Sequence, residues 1–430
     1  MPHQRPLVYA VHEVLTGGQN FRAMWRAAAV AADTAFGSRN FSNAVLLRGW
    51  RWFRDLALIL SVTTLSGTAA GDGWSRAGPL PDFPGTTGET VKTVPVGSLS
   101  AAVAAAVPGD TLILGGTYDL DNRVAITRPG NPTAPIVLRA QRLGGAVIRV
   151  AAVEGFLVRA PYWIFENLVV VGTCPQDADC EHGFHIVGPA TTVAIRNNCL
   201  VDFNAHIKVN REGQDFPDSG LIEHNTLYEH RARVTSNPVT PIDIVAASNW
   251  VVRANLIMDF AKSSGNRTSY GAFMKGSGRQ GVFDANIVAC RYQVAPVSLN
   301  EERVGLSFGG GGTSPPMLCR DDLCAIEHLG GVMRDNLILE CSDVGIYLNK
   351  AQQIRVTDNI LEHTGGLSAR FPVTDAEVSN NILDGGLHEY EGARLAGRNN
   401  IMAISVDDTG QRVVADRATV CGRVDQFVPP

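Results

Sequence analysis

The chain has 430 residues, of which 45% are hydrophobic and 18% charged, enough to bury a large core. Forty-four glycines and few aromatics fit strands separated by tight bends better than a helical protein. A net charge of -5 lacks the basic excess of a nucleic-acid binder, so any attraction for a polyanion must be local.

Residues 46–70, LLRGWRWFRDLALILSVTTLSGTAA, set Arg48, Arg51 and Arg54 ahead of a short apolar run and a small-residue end. That layout predicts a secretory signal inside an N-terminal region 1–70, with a start near Met24 and a mature chain from near Ala70. The run is too short for a membrane span. An amphipathic N-terminal segment is the alternative. Residues 71–92, rich in Gly, Pro and Thr, read as a linker. From Val96 to Leu120, VGSLSAAVAAAVPGDTLILGGTYDL predicts a short Ala-rich helix capped by Ser98 or Ser100, ended by Pro108-Gly109-Asp110, then a strand. Such a helix covers the open end of a stacked sheet.

Across 93–405, Asn167, Asn198, Asn225, Asn255, Asn286, Asn336, Asn359, Asn381 and Asn400 are each followed two residues later by an aliphatic residue. Successive spacings are 31, 27, 30, 31, 50, 23, 22 and 19 residues, and about 22 residues make one bare coil of three short strands and three bends. The wider gaps are coils that carry loops. Asn tolerates left-handed backbone angles, and stacked copies can hydrogen-bond as a ladder. The fold expected is all-β, a right-handed parallel β-helix of about ten coils with a capping helix, followed by a tail at 406–430.

The cap AAVAAAVPGDTLILGGTYDL, the following ITRPGNPTAPIVLRAQRLGGAVI and the Asn-centred coils together resemble the secreted parallel β-helix polysaccharide lyases of the chondroitinase B and alginate lyase type. The resemblance spans roughly residues 94–403. It implies cleavage of a uronic-acid polysaccharide by β-elimination, a Lys and Arg pair near the substrate, and often Ca²⁺. The family's Asn-Lys-Ser segment is absent, so no site residue carries over. The Asp-Pro-His-Asp of mannuronan epimerases and the Trp-Ile-Asp-His of pectate lyases are missing too. Asp321-Asp322 stands outside the Gly-Asp-Asp setting of polygalacturonases.

Candidate site residues come from the strand before each small-residue bend: GFHIVG, AHIKVN, PIDIVA, AFMKGS, GLSFGG, GIYLNK and GLSARF. Alternation places His185, Lys208, Asp243, Lys275, Ser307, Tyr347 with Asn349, and Arg370 outward as one column. Insertions at 173–183, 230–240, 260–270 and 291–304 enter this strand, and 309–331 leaves it, so loops wall a groove over the column. Lys275, Lys208, Arg370 and Tyr347 are the catalytic candidates. His185, His206, Asp243, Asn349 and Arg320 are the substrate-binding ones. Coils stack ~4.8 Å apart, which sets Lys208 and Lys275 ~10 Å from each other with Asp243 between them, and Arg370 ~14 Å beyond Lys275. A Ca²⁺ ion would take oxygens from Asp243, Asn210, Glu212 and Asp218. Each candidate has a plainer reading as a solvated strand residue.

Short staples are expected at Cys174 with Cys180 and Cys319 with Cys324; Cys199, Cys290 and Cys341 read as small core residues, and Cys421 has no evident role. The function expected is export, as a monomer, and binding and β-elimination of an acidic polysaccharide. The alternatives are a glycoside hydrolase using Asp321, Asp322 or Asp243, and a non-catalytic carbohydrate-binding β-helix.

Overall fold

The Asn ladder organises the computed structural model, which describes residues 90–402. From Asn198 through Asn225, Asn255, Asn286, Asn336, Asn359 and Asn381 to Asn400, each Nδ2 donates to the Oδ1 of the next at 2.8 to 3.0 Å. The same Oδ1 atoms accept the backbone N–H of the preceding ladder residue, so donors and acceptors at this bend are satisfied away from water. The left-handed angle expected of the ladder Asn belongs instead to the residue before it, as at Asn197, His224, Ala254, Ala285 and Asp335. Asn167 is therefore out of step by one. It aligns with Asn197, carries the positive φ itself, and accepts from Asn197 Nδ2 at 2.6 Å.

Three parallel sheets share the coils. Sheet 1 has twelve strands from Thr90–Thr93 to Arg394–Arg398, sheet 2 eleven from Gly116–Leu120 to Ile401–Met402, and sheet 3 ten from Val124–Ile126 to Leu387–Tyr390. One coil runs from Ala194–Arg196 in sheet 1, through the Asn bend, to Cys199–Val201 in sheet 2 and Ala205–Asn210 in sheet 3. Neighbouring coils pair in parallel and nearly in register, which is a parallel β-helix. The interior is mainly apolar: Phe156 stacks on Phe184 at 4.9 Å, and Trp163 and Trp250 are fully buried with their indole N–H groups on the carbonyls of Arg128 and Pro217.

The helix α1, Leu99–Ala104, buries Leu99 and Val103 against the first strand of sheet 3 and closes this end of the core. Ser98 sits at its N-cap, yet its hydroxyl donates back to the Pro95 carbonyl rather than capping the helix. The strand Thr90–Thr93 already pairs with Asp110–Leu114, so the folded body begins inside the segment expected as linker. The signal segment 46–70, the tail 406–430 and Cys421 lie outside the described residues.

Cys174 with Cys180 and Cys319 with Cys324 form the expected disulfides. Cys290 and Cys341 are buried core residues, as expected, and are bonded to each other as well. They occupy the same corner of successive coils, where stacking brings their Cα atoms to 4.8 Å, and they form a third bond. Cys199 is disulfide-bonded as well.

Candidate functional site

The outward positions of sheet 3 form two columns, not one. The register aligns His185, Lys208, Asp243, Phe273, Ser307 and Tyr347 at successive coils. Lys275 lies two residues further along, level with Val245, in a column that also holds Asn210, Asn349, Arg370 and Tyr390. The single column expected from sequence placed Phe273 inward as an apolar residue. Phe273 instead packs outside the core with Val245, Ala246, Phe216 and Tyr270, making an apolar floor.

On that floor the Lys275 ammonium lies 4.5 Å from the Phe273 ring centroid, donates to the Gly312 carbonyl at 2.9 Å and makes no ion pair among the described residues. Burial pushes its amine below the usual lysine range; Asp243 opposes that, Lys208 adds to it and Glu327 opposes it. Lys208 Nζ donates to Asp243 Oδ2 at 2.8 Å. The other Asp243 oxygen is buried with no hydrogen-bond partner, although the residue is only 5% exposed. Two lysines and one half-satisfied carboxylate therefore share a small region of low dielectric.

The roof over Lys275 is the segment Gly309–Thr313. Ser307 Oγ accepts the Gly310 N–H, Asn349 Nδ2 donates to the Gly310 carbonyl, and the buried Glu327 accepts from Thr313 N, Thr313 Oγ1 and Gly276 N at 2.7 to 2.8 Å. Gly309 has φ +101°, and a Cβ there would lie 1.9 Å from the Asn349 carbonyl oxygen, so the roof can pass only as glycine. Asn349 is thus 4% exposed and holds the roof, which corrects its reading as a substrate contact.

The rest of the 309–331 insertion is tied to neighbouring coils and forms a wall. Arg320 clasps Asp218 with both Nη atoms at 2.7 and 2.8 Å, and Arg211 donates to the Met317 and Cys319 carbonyls and to Asp322. Both guanidinium groups stack on Phe216. Arg320 is therefore a clasp and not a free substrate contact. A concavity of about 370 Å³ beside it, lined by Asp218, Ser248, Asn249, Arg279, Gln280 and Arg320, is polar and lies off the Lys275 floor. Asp321 accepts from Ser277 Oγ and two backbone N–H groups, and Asp322 faces Arg211, so neither forms the free carboxylate pair that a hydrolase needs.

At the N-terminal end, His185 lies between Glu154 at 2.5 Å and Asn210 Oδ1 at 2.7 Å. That bond, aided by Arg123, holds the Glu154 carboxyl down at about 2 against the opposing effect of burial. His182, which the sequence reading passed over, is brought against His185 with ring centroids 4.8 Å apart, and burial lowers its imidazole to about 3. His206 is fully buried, lowered by burial to about 4, and bonded to the Tyr228 carbonyl, so it is a core histidine and not a groove residue. At the far end, Arg370 pairs with Glu391 at 2.6 Å, and burial raises the Tyr347 phenol.

The oxygens offered for Ca²⁺ are spoken for separately: Asp243 by Lys208, Asn210 by His185, Glu212 by Arg159 and Asp218 by Arg320. Among the described residues, the one group of three potential His, Cys, Asp or Glu ligands with converging atoms is Cys319, Cys324 and Glu327, and its cysteines form a disulfide. The expected donor set does not fit calcium.

No protein-family model matches the chain, and no curated protein does. Among solved structures, it is similar to a pectate lyase, Pel9A, with 14% identity over 75% of this chain and 80% of that one, TM-score 0.47. It is also similar to an alginate lyase from Paenibacillus sp. str. FPU-7, with 12% identity over 74% and 96%, TM-score 0.38. A lacto-N-biosidase from Eubacterium ramulus shows 9% identity over 71% and 64%, TM-score 0.47. These likenesses assign no activity to the chain.

Proposed function

We propose that this protein is exported, binds an acidic polysaccharide along the face of sheet 3 and cleaves it by β-elimination with Lys275 as the base. The observation that carries the reading is a roofed lysine with no carboxylate partner, its amine held below the usual range by burial beside a second lysine. In its neutral form, which burial favours, Lys275 takes the proton from C5 of a uronic-acid unit. The C5–H electron pair forms the C4–C5 double bond as the bond from C4 to the glycosidic oxygen breaks, and the new ammonium of Lys275 returns the proton to that oxygen. Lys208 offers a cation for the charge that builds on the C5 carboxylate. Three disulfides between described cysteines favour an oxidising compartment, which supports export. No described helix is long and apolar enough to cross a membrane.

The test is a panel of uronic-acid polymers followed in two ways. Elimination creates a conjugated double bond that absorbs near the ultraviolet edge together with new chain ends. Reducing ends without that absorbance would indicate a hydrolase and overturn the reading, and binding without either would indicate a non-catalytic β-helix.

A further inference from the structure

Beyond the last coil of the roof, the bend after sheet 3 changes character. At Ala246, Gly276 and Gly310 it is made of small residues with positive φ, which leave the floor clear. Three coils past Gly276 the same bend is Phe371, φ +76°, flanked in register by Lys350 before it and Glu391 after it. Tyr162 and Phe371 are the only Phe or Tyr at positive φ among the described residues, and a bulky side chain there is kept against its backbone preference. The Phe371 ring braces two cations: the Arg370 guanidinium lies 5.0 Å and the Lys350 ammonium 5.6 Å from its centroid. Tyr347 lies one coil before, level with Ser368, and Tyr390, 52% exposed, follows Arg370 in register. Lys350 makes no ion pair among the described residues. The anion now on Arg370 is Glu391, whose side chain is 46% exposed and free to turn away.

We infer that Arg370, Lys350, Phe371 and Tyr347 form an anion subsite for a uronate carboxylate, with Glu391 standing in for that carboxylate when no polymer is bound. Three coil spacings put it ~14 Å from Lys275, so it grips a sugar unit away from the one that reacts. This rests on the reading of the sheet 3 face as a polyuronate groove, but it concerns binding and not bond cleavage. A planar guanidinium matches a carboxylate through two parallel hydrogen bonds, and the ammonium beside it supplies a second charge without directional demand. Displacing Glu391 exchanges one exposed ion pair for another, so the gain comes from polymer units held elsewhere in the groove at the same time.

The experiment uses the full chain carrying Lys275→Ala, so that polymer is not consumed, and measures retention in gels containing polygalacturonate, alginate or neutral dextran. Arg370→Met and Lys350→Met should each weaken polyuronate affinity about threefold to fivefold, and Glu391→Gln should tighten it by a similar factor. Phe371→Gly, which keeps the bend's backbone angle, should weaken it as much as either cation change. Migration in dextran should not move. If Glu391→Gln and Lys350→Met leave polyuronate affinity unchanged, or if neither polyuronate retards the protein, the subsite is wrong. If Lys275→Ala still cleaves polymer while these affinities shift as stated, the elimination reading fails and the subsite stands.

Discussion

Arg139, Glu166, Arg196, Glu223, Arg253, Asp284 and Arg334 alternate in sign up sheet 1, whereas on sheet 3 Lys208 takes Asp243 and Lys275, in the adjacent column, has no ion pair among the described residues. Along sheet 1 charges at neighbouring coils meet at 2.5 to 3.0 Å, as in Arg139 with Glu166, Arg196 with Glu166, Arg253 with Glu223, and Arg334 with Asp284. The same coil stacking builds both columns. In this sheet 1 column it pairs every charge with a neighbour. On sheet 3, Lys275 has only a carbonyl and a ring, and one Asp243 oxygen has nothing. In a solenoid, then, a charged column is no mark of a site; an unbalanced one is.

The strongest way to break this comparison is to change its two ends. Lys275→Ala should lower turnover by a factor on the order of 10² to 10⁴ with folding intact. Lys275→Arg should do the same, because arginine does not give up its proton at working pH. A Lys275→Arg variant with near-normal turnover would make the residue a cation and not a base. On the balanced side, Glu166→Gln leaves Arg139 and Arg196 without their shared buried carboxylate and should cost about 3 kcal/mol of unfolding free energy. Chemical denaturation measures that cost, and turnover at saturating polymer should not change. A large activity loss from Glu166→Gln in the folded state would erase the distinction between the sheets.

A smaller effect follows from the buried imidazoles. His182, His206 and His328 are lowered by burial to about 3, 4 and 3, below their unfolded value of 6.5. The unfolded chain therefore binds protons that the folded one refuses, and stability falls as pH drops below about 6.5. The loss should be on the order of 1 to 3 kcal/mol per residue by pH 4. Glu154 adds to the acid sensitivity only lower, between 4.5 and about 2. Denaturation midpoints across that range, with His206→Asn or His328→Asn showing a flatter pH dependence, check it.

The solenoid was legible because its signal repeats. A ladder Asn marks the bend at eight successive coils from Asn198 to Asn400, and the slip, at Asn167, came where Asn-Leu and Asn-Asn-Cys offer different residues for the same place. The site was less legible because it depends on register, which one outward phenylalanine shifts. Phe273 looked like core, so Lys275 was put in the column of Asp243. His206 and Asn349 sit where alternation breaks or where a loop folds back, and polarity alone does not reveal burial. Glu327 had no signal in sequence at all. Its partners, Thr313 and Gly276, lie 14 and 51 residues away, and only the folded roof joins them. His182 could have been found, since Glu-His-Gly-Phe-His sets two histidines on one strand beside the lysine column.

The claim that unbalanced charge tunes Lys275 as the base is tested most directly by pH–rate profiles of the wild type, Asp243→Asn and Lys208→Gln on the same polyuronate. Turnover requires the neutral amine, so each profile should rise with pH through the pKa of Lys275. Asp243 holds that pKa up and Lys208 holds it down. Removing the aspartate charge should therefore move the rising limb to lower pH, and removing the lysine charge should move it to higher pH. Opposite shifts are the result the account predicts; limbs that stay in place, or that move in the same direction, would contradict it.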